Sequence, residues 1–127
     1  MYNVLLVGVG GFIGSVLRYL LSGWVQDLAR EQIFPYGTLA CNLIGCFAIG
    51  LLAVLAEVWH AFTPEVRALV FIGVLGGFTT YSTFANESLN LYSDGDRFLA
   101  RLNVIVHLVV GLTAVWAGRA LGHWIWR

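Results

Sequence analysis

The chain has 127 residues, of which 59% are hydrophobic and 11% are charged, and its formal net charge is +0. Soluble domains carry roughly 25% charged residues, and a soluble fold of this size could not hide so much apolar surface. The composition therefore predicts one integral membrane domain over residues 1–127, and the balanced charge gives no sign of a nucleic-acid partner.

Four apolar segments follow one another along the chain, with short polar connections between them. They cover residues 2–25, 37–56, 66–92 and 102–118. Because a membrane-spanning helix needs about 20 apolar residues, we predict an all-α fold of four transmembrane helices. Before the third segment, Thr63 and Pro64 are expected to cap and to start the helix.

The first segment carries one charged residue, Arg18, well inside its apolar run. A long arginine side chain can extend its charge to the membrane interface. An arginine within a span can instead draw anions into a water-filled entrance. The residue pattern leaves both interpretations of Arg18 open.

The second segment contains Asn42 in its interior, close to Cys41 and Cys46. Residues five apart on a helix point in different directions, so the two thiols cannot form a local disulfide, and we expect them to be small packing residues. An asparagine in a membrane helix can hydrogen-bond to a neighbouring helix or line an ion track. Both roles stay open for Asn42.

The third segment is too long for one straight span. A continuous helix over 66–92 would extend about 40 Å, against a hydrocarbon core of about 30 Å. Tilting would accommodate the excess length, whereas the pair Gly76-Gly77, followed by threonines, favours a break near the middle of the segment. Backbone freed by such a break is tolerated where it lines a cavity or binds an ion.

Polar groups cluster just beyond that pair. Hydroxyl groups stand at Thr79, Thr80, Tyr81, Ser82 and Thr83, and a carboxylate follows at Glu87. Carbonyls at the break could coordinate a cation, and the hydroxyls could donate to an anion. Since the charge inside the first segment is positive, an anion is favoured, provided that Glu87 is paired or lies near the surface.

In the fourth segment, Asn103 and His107 are four residues apart and therefore lie on one face of the helix. Each of them could make an interhelical hydrogen bond or belong to the same polar path as Asn42.

The arginines are balanced across the membrane. With four spans, one side carries Arg67, Arg119 and Arg127, and the other carries Arg30, Arg97 and Arg101. Orientation in the membrane follows an imbalance of positive charge, so we predict insertion in both orientations.

Three pairs of glycines have the G-x-x-x-G spacing, which lets membrane helices approach closely. They are Gly10 and Gly14, Gly73 and Gly77, and Gly118 and Gly122. Together with the thinness of a four-helix bundle, they favour an assembly of subunits with a path between them.

Four stretches match a known family: GGFIGSVLRY (10–19), GTLACNLIGCFAIG (37–50), GVLGGFTTYSTFANE (73–87) and LNVIVHLVVG (102–111). They resemble the Fluc-type, or CrcB-like, fluoride channels and cover all four segments. The third stretch is the most specific, because the family shows G-G-x-T-T-F-S-T-F there.

The resemblance implies an antiparallel, dual-topology homodimer in a bacterial plasma (inner) membrane. It implies passive export of fluoride from the cytoplasm, which reduces fluoride toxicity, through two pores at the dimer interface. It also implies a central structural Na⁺ held by the backbone carbonyls of Gly76 and Thr79. The residues it assigns to the fluoride pathway are Asn42, Tyr81, Ser82, Thr83, Phe84, Asn103 and His107. Arg18 matches the vestibule arginine, and Glu87 matches the acidic residue after the motif.

The chain departs from the family pattern at three positions. Tyr81 stands where the first phenylalanine of the motif usually is, so a hydroxyl is added to the ring. Gly111 and Val115 stand where the polar track of the fourth helix often has serine and threonine. These two residues shorten the expected track.

Other classes of membrane protein share this length and number of spans. A small dual-topology multidrug/proton antiporter needs a titratable carboxylate in the first span, where this chain has only Arg18. A non-transporting assembly subunit is a further alternative. An enzyme is disfavoured, because His60, His107 and His123 lack metal-ligand spacing and no G-x-S-x-G motif occurs.

Overall fold

The computed structural model describes residues 1–30, 33–59 and 62–126 of the chain. Helix α1 is Tyr2–Ala29, α2 is Tyr36–Trp59, α4 is Tyr81–Ser93 and α5 is Arg97–Ile125. We use α3 for residues 64–78, which run without interruption through Pro64–Arg67, Ala68–Leu75 and Gly76–Phe78. His60 and Arg127, which enter the sequence arguments, lie outside the described residues.

The four predicted spans are confirmed as helices of membrane length. They are Tyr2–Ala29, Tyr36–Val58, Pro64–Ser93 and Arg97–Ile125. Each is longer than the apolar run that predicted it, because the helices continue into the residues that flank the run. Thr63 caps α3 as expected, since its Oγ1 accepts a hydrogen bond from the amide of Val66 at 3.4 Å.

The third span is interrupted near its middle, but not at the glycine pair. Gly76 has helical torsion angles (φ −64°, ψ −36°), and the helix continues to Phe78. The interruption comes at Thr79 (φ −91°, ψ 156°) and Thr80 (φ −151°, ψ 116°), which are both extended. It is local, and the bend between α3 and α4 is small. The turns over Ala68–Leu75 have the wider π-helical form, which no sequence pattern predicted.

Helices α1 and α3 pack with their backbones in contact. A Cβ atom placed on Gly73 would lie 2.8 Å from the Cα of Gly10, and one on Gly77 would lie 2.7 Å from the carbonyl oxygen of Gly11. A Cβ on Gly14 would overlap the carbonyl of Val74. Only glycine permits this approach.

Helices α2 and α5 make the second close pair. A Cβ on Gly118 would overlap the carbonyl of Phe47, and one on Gly122 would lie 2.9 Å from the Cβ of Val54. At one end of this pair, Arg119 Nη2 lies 3.1 Å from Glu57 Oε2. All three G-x-x-x-G pairs therefore pack helices within one chain, whereas the sequence argument had assigned them to assembly.

Candidate ion pathway

The break between α3 and α4 is held by a side chain from another helix. Asn42 of α2 donates from Nδ2 to the carbonyl of Thr80 (3.1 Å), and its Oδ1 accepts from the amide of Thr80 (2.9 Å). One amide side chain thus satisfies both backbone groups of an extended residue inside a membrane span, where an unpaired group would cost several kcal/mol, on the order of 4–8. Asn42 therefore stabilises the extended backbone at the break.

This arrangement also decides which carbonyls lose their helical partners. In a continuous helix the amide of Thr80 would bond to the carbonyl of Gly76, and the amide of Thr83 would bond to that of Thr79. Here the Thr80 amide is held by Asn42, and the Thr83 amide donates to Thr80 Oγ1 at 3.3 Å. The interruption therefore takes the usual donors from the carbonyls of Gly76 and Thr79, and equally from those of Gly77 and Phe78, which would bond to the first amides of α4.

Hydroxyl groups converge at the start of α4. Thr80 is its N-cap residue, and Thr80 Oγ1 lies 3.0 Å from Thr83 Oγ1 and 3.4 Å from Ser82 Oγ. Amides at the first turn of a helix carry partial positive charge. The stretch after the glycine pair thus forms a donor-rich helix start within the span.

Two clefts meet at this point. The arginine cleft has a volume of about 620 Å³ and lies between α1, α4 and the connection from α1 to α2. The aromatic cleft has a volume of about 570 Å³ and lies between α2, α3, α4 and α5. Thr80 lines both of them. The arginine cleft includes Arg18, Thr38, Thr83 and Glu87; the aromatic cleft includes Asn42, Thr79, Tyr81, Phe84 and His107.

The arginine cleft contains one acid that is held by a hydroxyl group. Thr38 Oγ1 donates to Glu87 Oε1 at 2.7 Å, while Glu87 Oε2 is buried without a partner among the described residues. Arg18 lines the same cleft and is half-buried. Thr38 is a neutral partner, so this contact stabilises one oxygen of Glu87 without pairing its charge with a cation.

Aromatic rings form a row along the aromatic cleft. The ring centroids of Tyr81 and Phe84 are 5.6 Å apart with an interplanar angle of 60°, so an edge of one ring meets the other. The ring of His107 lies 4.2 Å from that of Phe84 at 34°. Ring edges carry partial positive charge, so the row presents positive edges next to the hydroxyl groups. Tyr81 is 79% exposed in the single chain.

The two residues of α5 that were predicted to line the pathway have different surroundings. His107 Nδ1 lies 3.0 Å from the carbonyl of Asn103, and its Nε2 is buried without a partner among the described residues. Asn103 is completely buried, and its Nδ2 donates to Ser88 Oγ at 2.9 Å. The positions that depart from the family pattern, Gly111 and Val115, add no polar side chain to this face.

The structure places Asn42, Tyr81, Thr83, Phe84 and His107 along the two clefts around the break, with Arg18 and Glu87 on the side of the arginine cleft. Ser82 and Asn103, which the resemblance also assigned to the pathway, line neither cleft. Sequence reasoning missed Thr38 and Ser88. Thr38 lies four residues before Asn42, and Ser88 lies four residues after Phe84, so helical periodicity from those anchors could have found both.

Residues 5–119 match the family model described as "CrcB-like protein, Camphor Resistance (CrcB)". The chain belongs to this family. Among curated CrcB-like relatives, a "Fluoride-specific ion channel FluC 1" from Methanosarcina acetivorans is 44% identical, over 94% of this chain and 89% of the relative. A "Fluoride-specific ion channel FluC" from Shewanella sp. (strain W3-18-1) is 45% identical, over 95% and 96%. One from Geotalea daltonii is 41% identical, over 98% and 100%.

The alignments with these CrcB-like relatives span all four membrane-length helices, so the shared unit is the whole bundle. The protein is accordingly a multi-pass protein of the plasma membrane.

Proposed function

We propose that this protein is a fluoride-specific ion channel and not an enzyme. The observation that carries the proposal is the donor-rich break at Thr79–Thr80, placed between two clefts, in a chain whose relatives are named fluoride-specific ion channels. Nothing in the structure or among the relatives favours the alternative of a drug/proton antiporter, since Arg18 is the charged residue of the apolar run 2–25 and the carboxylate of α1, Asp27, lies in its last turn.

The chemistry of fluoride fits the groups that line the two clefts. Fluoride is small and holds its water tightly, so a path through the membrane must replace hydration with many donors. The hydroxyl group of Thr83, the second N–H of Asn42 Nδ2 and the aromatic edges are such donors. Ser82 lines neither cleft, but its hydroxyl group lies 3.4 Å from that of Thr80, which lines both. The ion enters the arginine cleft near Arg18, passes Thr80 and leaves along Tyr81 and Phe84.

Asn103 and His107 belong to the same path. His107 reaches the aromatic cleft directly, and its ring contacts that of Phe84. Asn103 is completely buried and lines neither cleft. It contacts His107 through its backbone carbonyl, which lies 3.0 Å from His107 Nδ1. Glu87 borders the path from the arginine cleft, where Thr38 holds one of its oxygens.

A structural sodium ion is part of the proposal. The candidate ligands are the backbone carbonyls of Gly76 and Thr79, which fit a hard cation because their usual helical donors are diverted to Asn42 and Thr80. When bound, the ion would supply a fixed positive charge that offsets the self-energy of an anion nearby. Side chains hold the ion only indirectly, by keeping the break open.

One chain supplies two such carbonyls, and a second copy related by a two-fold axis would supply two more. Gly76 is exposed, and the nearest atom to a Cβ placed there is the Phe71 carbonyl oxygen at 3.8 Å, so another helix has room to approach. We therefore propose an antiparallel, dual-topology homodimer with two pores at its interface. Passive flow through them exports fluoride from the cytoplasm and reduces its toxicity.

The test is an efflux measurement. Purified protein is reconstituted into liposomes loaded with potassium fluoride, valinomycin is added, and a fluoride electrode follows release. We expect rapid release of fluoride and, in parallel liposomes loaded with potassium chloride, no release of chloride above that of protein-free liposomes. Equal release of both anions, or no release of fluoride, would overturn the proposal.

A further inference from the structure

A closed network of four residues joins α4 to α5. Ser88 Oγ donates to the carbonyl of Phe84 (2.8 Å) and accepts from Asn103 Nδ2 (2.9 Å). The backbone carbonyl of Asn103 lies 3.0 Å from His107 Nδ1, and the ring centroids of His107 and Phe84 are 4.2 Å apart with an interplanar angle of 34°. The network therefore begins and ends at Phe84.

The direction of each hydrogen bond follows from the groups involved. The carbonyl of Asn103 can only accept, so His107 Nδ1 carries the hydrogen. Nε2 is then the ring nitrogen that remains for any other contact, and it is buried. Likewise the backbone carbonyl of Phe84 can only accept, so the Ser88 hydroxyl must donate to it. The lone pairs of the Ser88 oxygen are then free to accept from Asn103 Nδ2.

Ser88, like Asn103, does not border the path. Its side chain lines neither the arginine cleft nor the aromatic cleft. Asn103 is completely buried, so its Nδ2 group has no access to bulk water if the serine hydroxyl is removed. A buried donor left without a partner costs about 1–3 kcal/mol, enough to turn the amide or to shift α5 against α4.

We propose that Ser88 is a positioning residue of the ion pathway. Its bond to the Asn103 side chain holds α5 against α4. That packing sets how the His107 ring, which is held within α5 by the backbone carbonyl of Asn103, lies against Phe84, so that the aromatic edges stay directed at the path. Ser88 thereby acts on the selectivity of conduction without contacting the ion. This inference rests on the proposed function of a fluoride channel.

The experiment compares two variants of equal shape, Ser88→Thr and Ser88→Val, in planar bilayers. Threonine keeps a hydroxyl that can bond to the carbonyl four residues earlier, whereas valine removes it. With fluoride on one side and chloride on the other, we expect Ser88→Val to lower the fluoride current roughly 10-fold, from the loss of one buried hydrogen bond, and to move the reversal potential towards zero. Ser88→Thr should keep both close to those of the wild type.

Ser93 provides the matched control. Its Oγ makes the same bond to a carbonyl one turn earlier, that of Leu89, at 2.9 Å on the same helix, but it is exposed. Ser93→Val should change neither the current nor the reversal potential. In an Asn103→Leu background, where the partner is already gone, Ser88→Val should add no further loss.

Three results would overturn the inference: a wild-type current and reversal potential in Ser88→Val, an equal loss in Ser93→Val, or full additivity with Asn103→Leu. If Ser88→Val does not yield folded protein, Ser88→Ala takes its place, with Ser88→Thr as the rescue. A wild-type protein that carries no fluoride current would instead overturn the proposed function itself.

Discussion

At the scale of single residues, Asn42 has two tasks that a side-chain amide can combine. Its oxygen and one N–H satisfy the backbone of Thr80, and in the proposed function its second N–H donates to an ion in the aromatic cleft. The sequence identified Asn42 as a polar residue within a span and left its role open. The contact between Asn42 and Thr80 could not be predicted, because the two residues lie far apart in the chain.

Asn42→Asp tests this dual role. Aspartate keeps the acceptor for the Thr80 amide, but it removes the donor to the Thr80 carbonyl and places a negative charge beside an anion path. We expect fluoride efflux to fall by on the order of 100-fold, since an unpaired buried group and a repelled ion each cost at least about 1.4 kcal/mol.

Asn86→Asp is the control, because Asn86 is an exposed residue of the same motif. It should leave efflux within about twofold of that of the wild type, as surface substitutions have small effects. Size-exclusion chromatography should show the same elution volume for both variants. Normal efflux through folded Asn42→Asp would remove Asn42 from the path.

At the scale of helices, the contact between α1 and α3 supports the half of the broken span that precedes the break. Gly73→Ala would bring a Cβ to 2.8 Å from the Cα of Gly10, a backbone atom that cannot move alone. We expect a loss of about 1–3 kcal/mol of stability, typical of overpacking. The temperature at which the detergent-solubilised protein loses its monodisperse peak should fall accordingly.

Gly8→Ala serves as the comparison on α1, because a Cβ on Gly8 meets nothing within 4 Å. Alanine is the better helix former, so this variant should be as stable as the wild type or more stable by about 0.5–1 kcal/mol. If Gly73→Ala proves equally harmless, the backbone contact between α1 and α3 has no energetic weight.

The helices themselves were predictable from hydropathy, since long apolar runs have few alternatives in a membrane. The position of the break was not. The sequence pointed to Gly76-Gly77, but glycine is tolerated in a membrane helix, and the interruption falls where Asn42 replaces the helical partners of Thr80. The same limit applies to Ser88 and Thr38, whose importance comes from partners on other helices.

At the scale of the whole molecule, sodium and assembly are expected to be linked. If a central ion binds the dimer and not the separated subunits, it stabilises the dimer by about 2.7 kcal/mol at 100 times its dissociation constant. Replacing sodium by N-methylglucamine during long dialysis should therefore speed subunit exchange in detergent by up to about 100-fold. Exchange between differently labelled subunits can be followed by fluorescence energy transfer.

Thr79→Ala should keep this sodium dependence, because the proposed ligand is the carbonyl of residue 79 and not its side chain. Equal exchange rates with and without sodium, once elemental analysis has confirmed that the ion is gone, would leave the ion with no part in assembly.

The balance of arginines makes a second prediction for the whole molecule. A reporter fused to the C-terminus should be active on both sides of the membrane, since Arg30, Arg97 and Arg101 oppose Arg67, Arg119 and Arg127. Two lysines inserted between α2 and α3 should bias the orientation and lower fluoride efflux, because antiparallel partners become scarce. Reporter signal from one side alone in the unmodified protein would rule out dual topology.

Thr80 lines both clefts, and this has an electrical consequence. If the two clefts fill with water from opposite sides of the membrane, as the proposed ion path requires, the electrical resistance is concentrated in the residues that separate them. The transmembrane voltage then falls mainly across those residues and not evenly over the hydrocarbon thickness. An anion that passes Thr80 would do most of its electrical work, about 2.3 kcal/mol per 100 mV, within the span of one residue. The membrane potential would thus act on the ion mainly at Thr80, the residue whose backbone Asn42 holds in place.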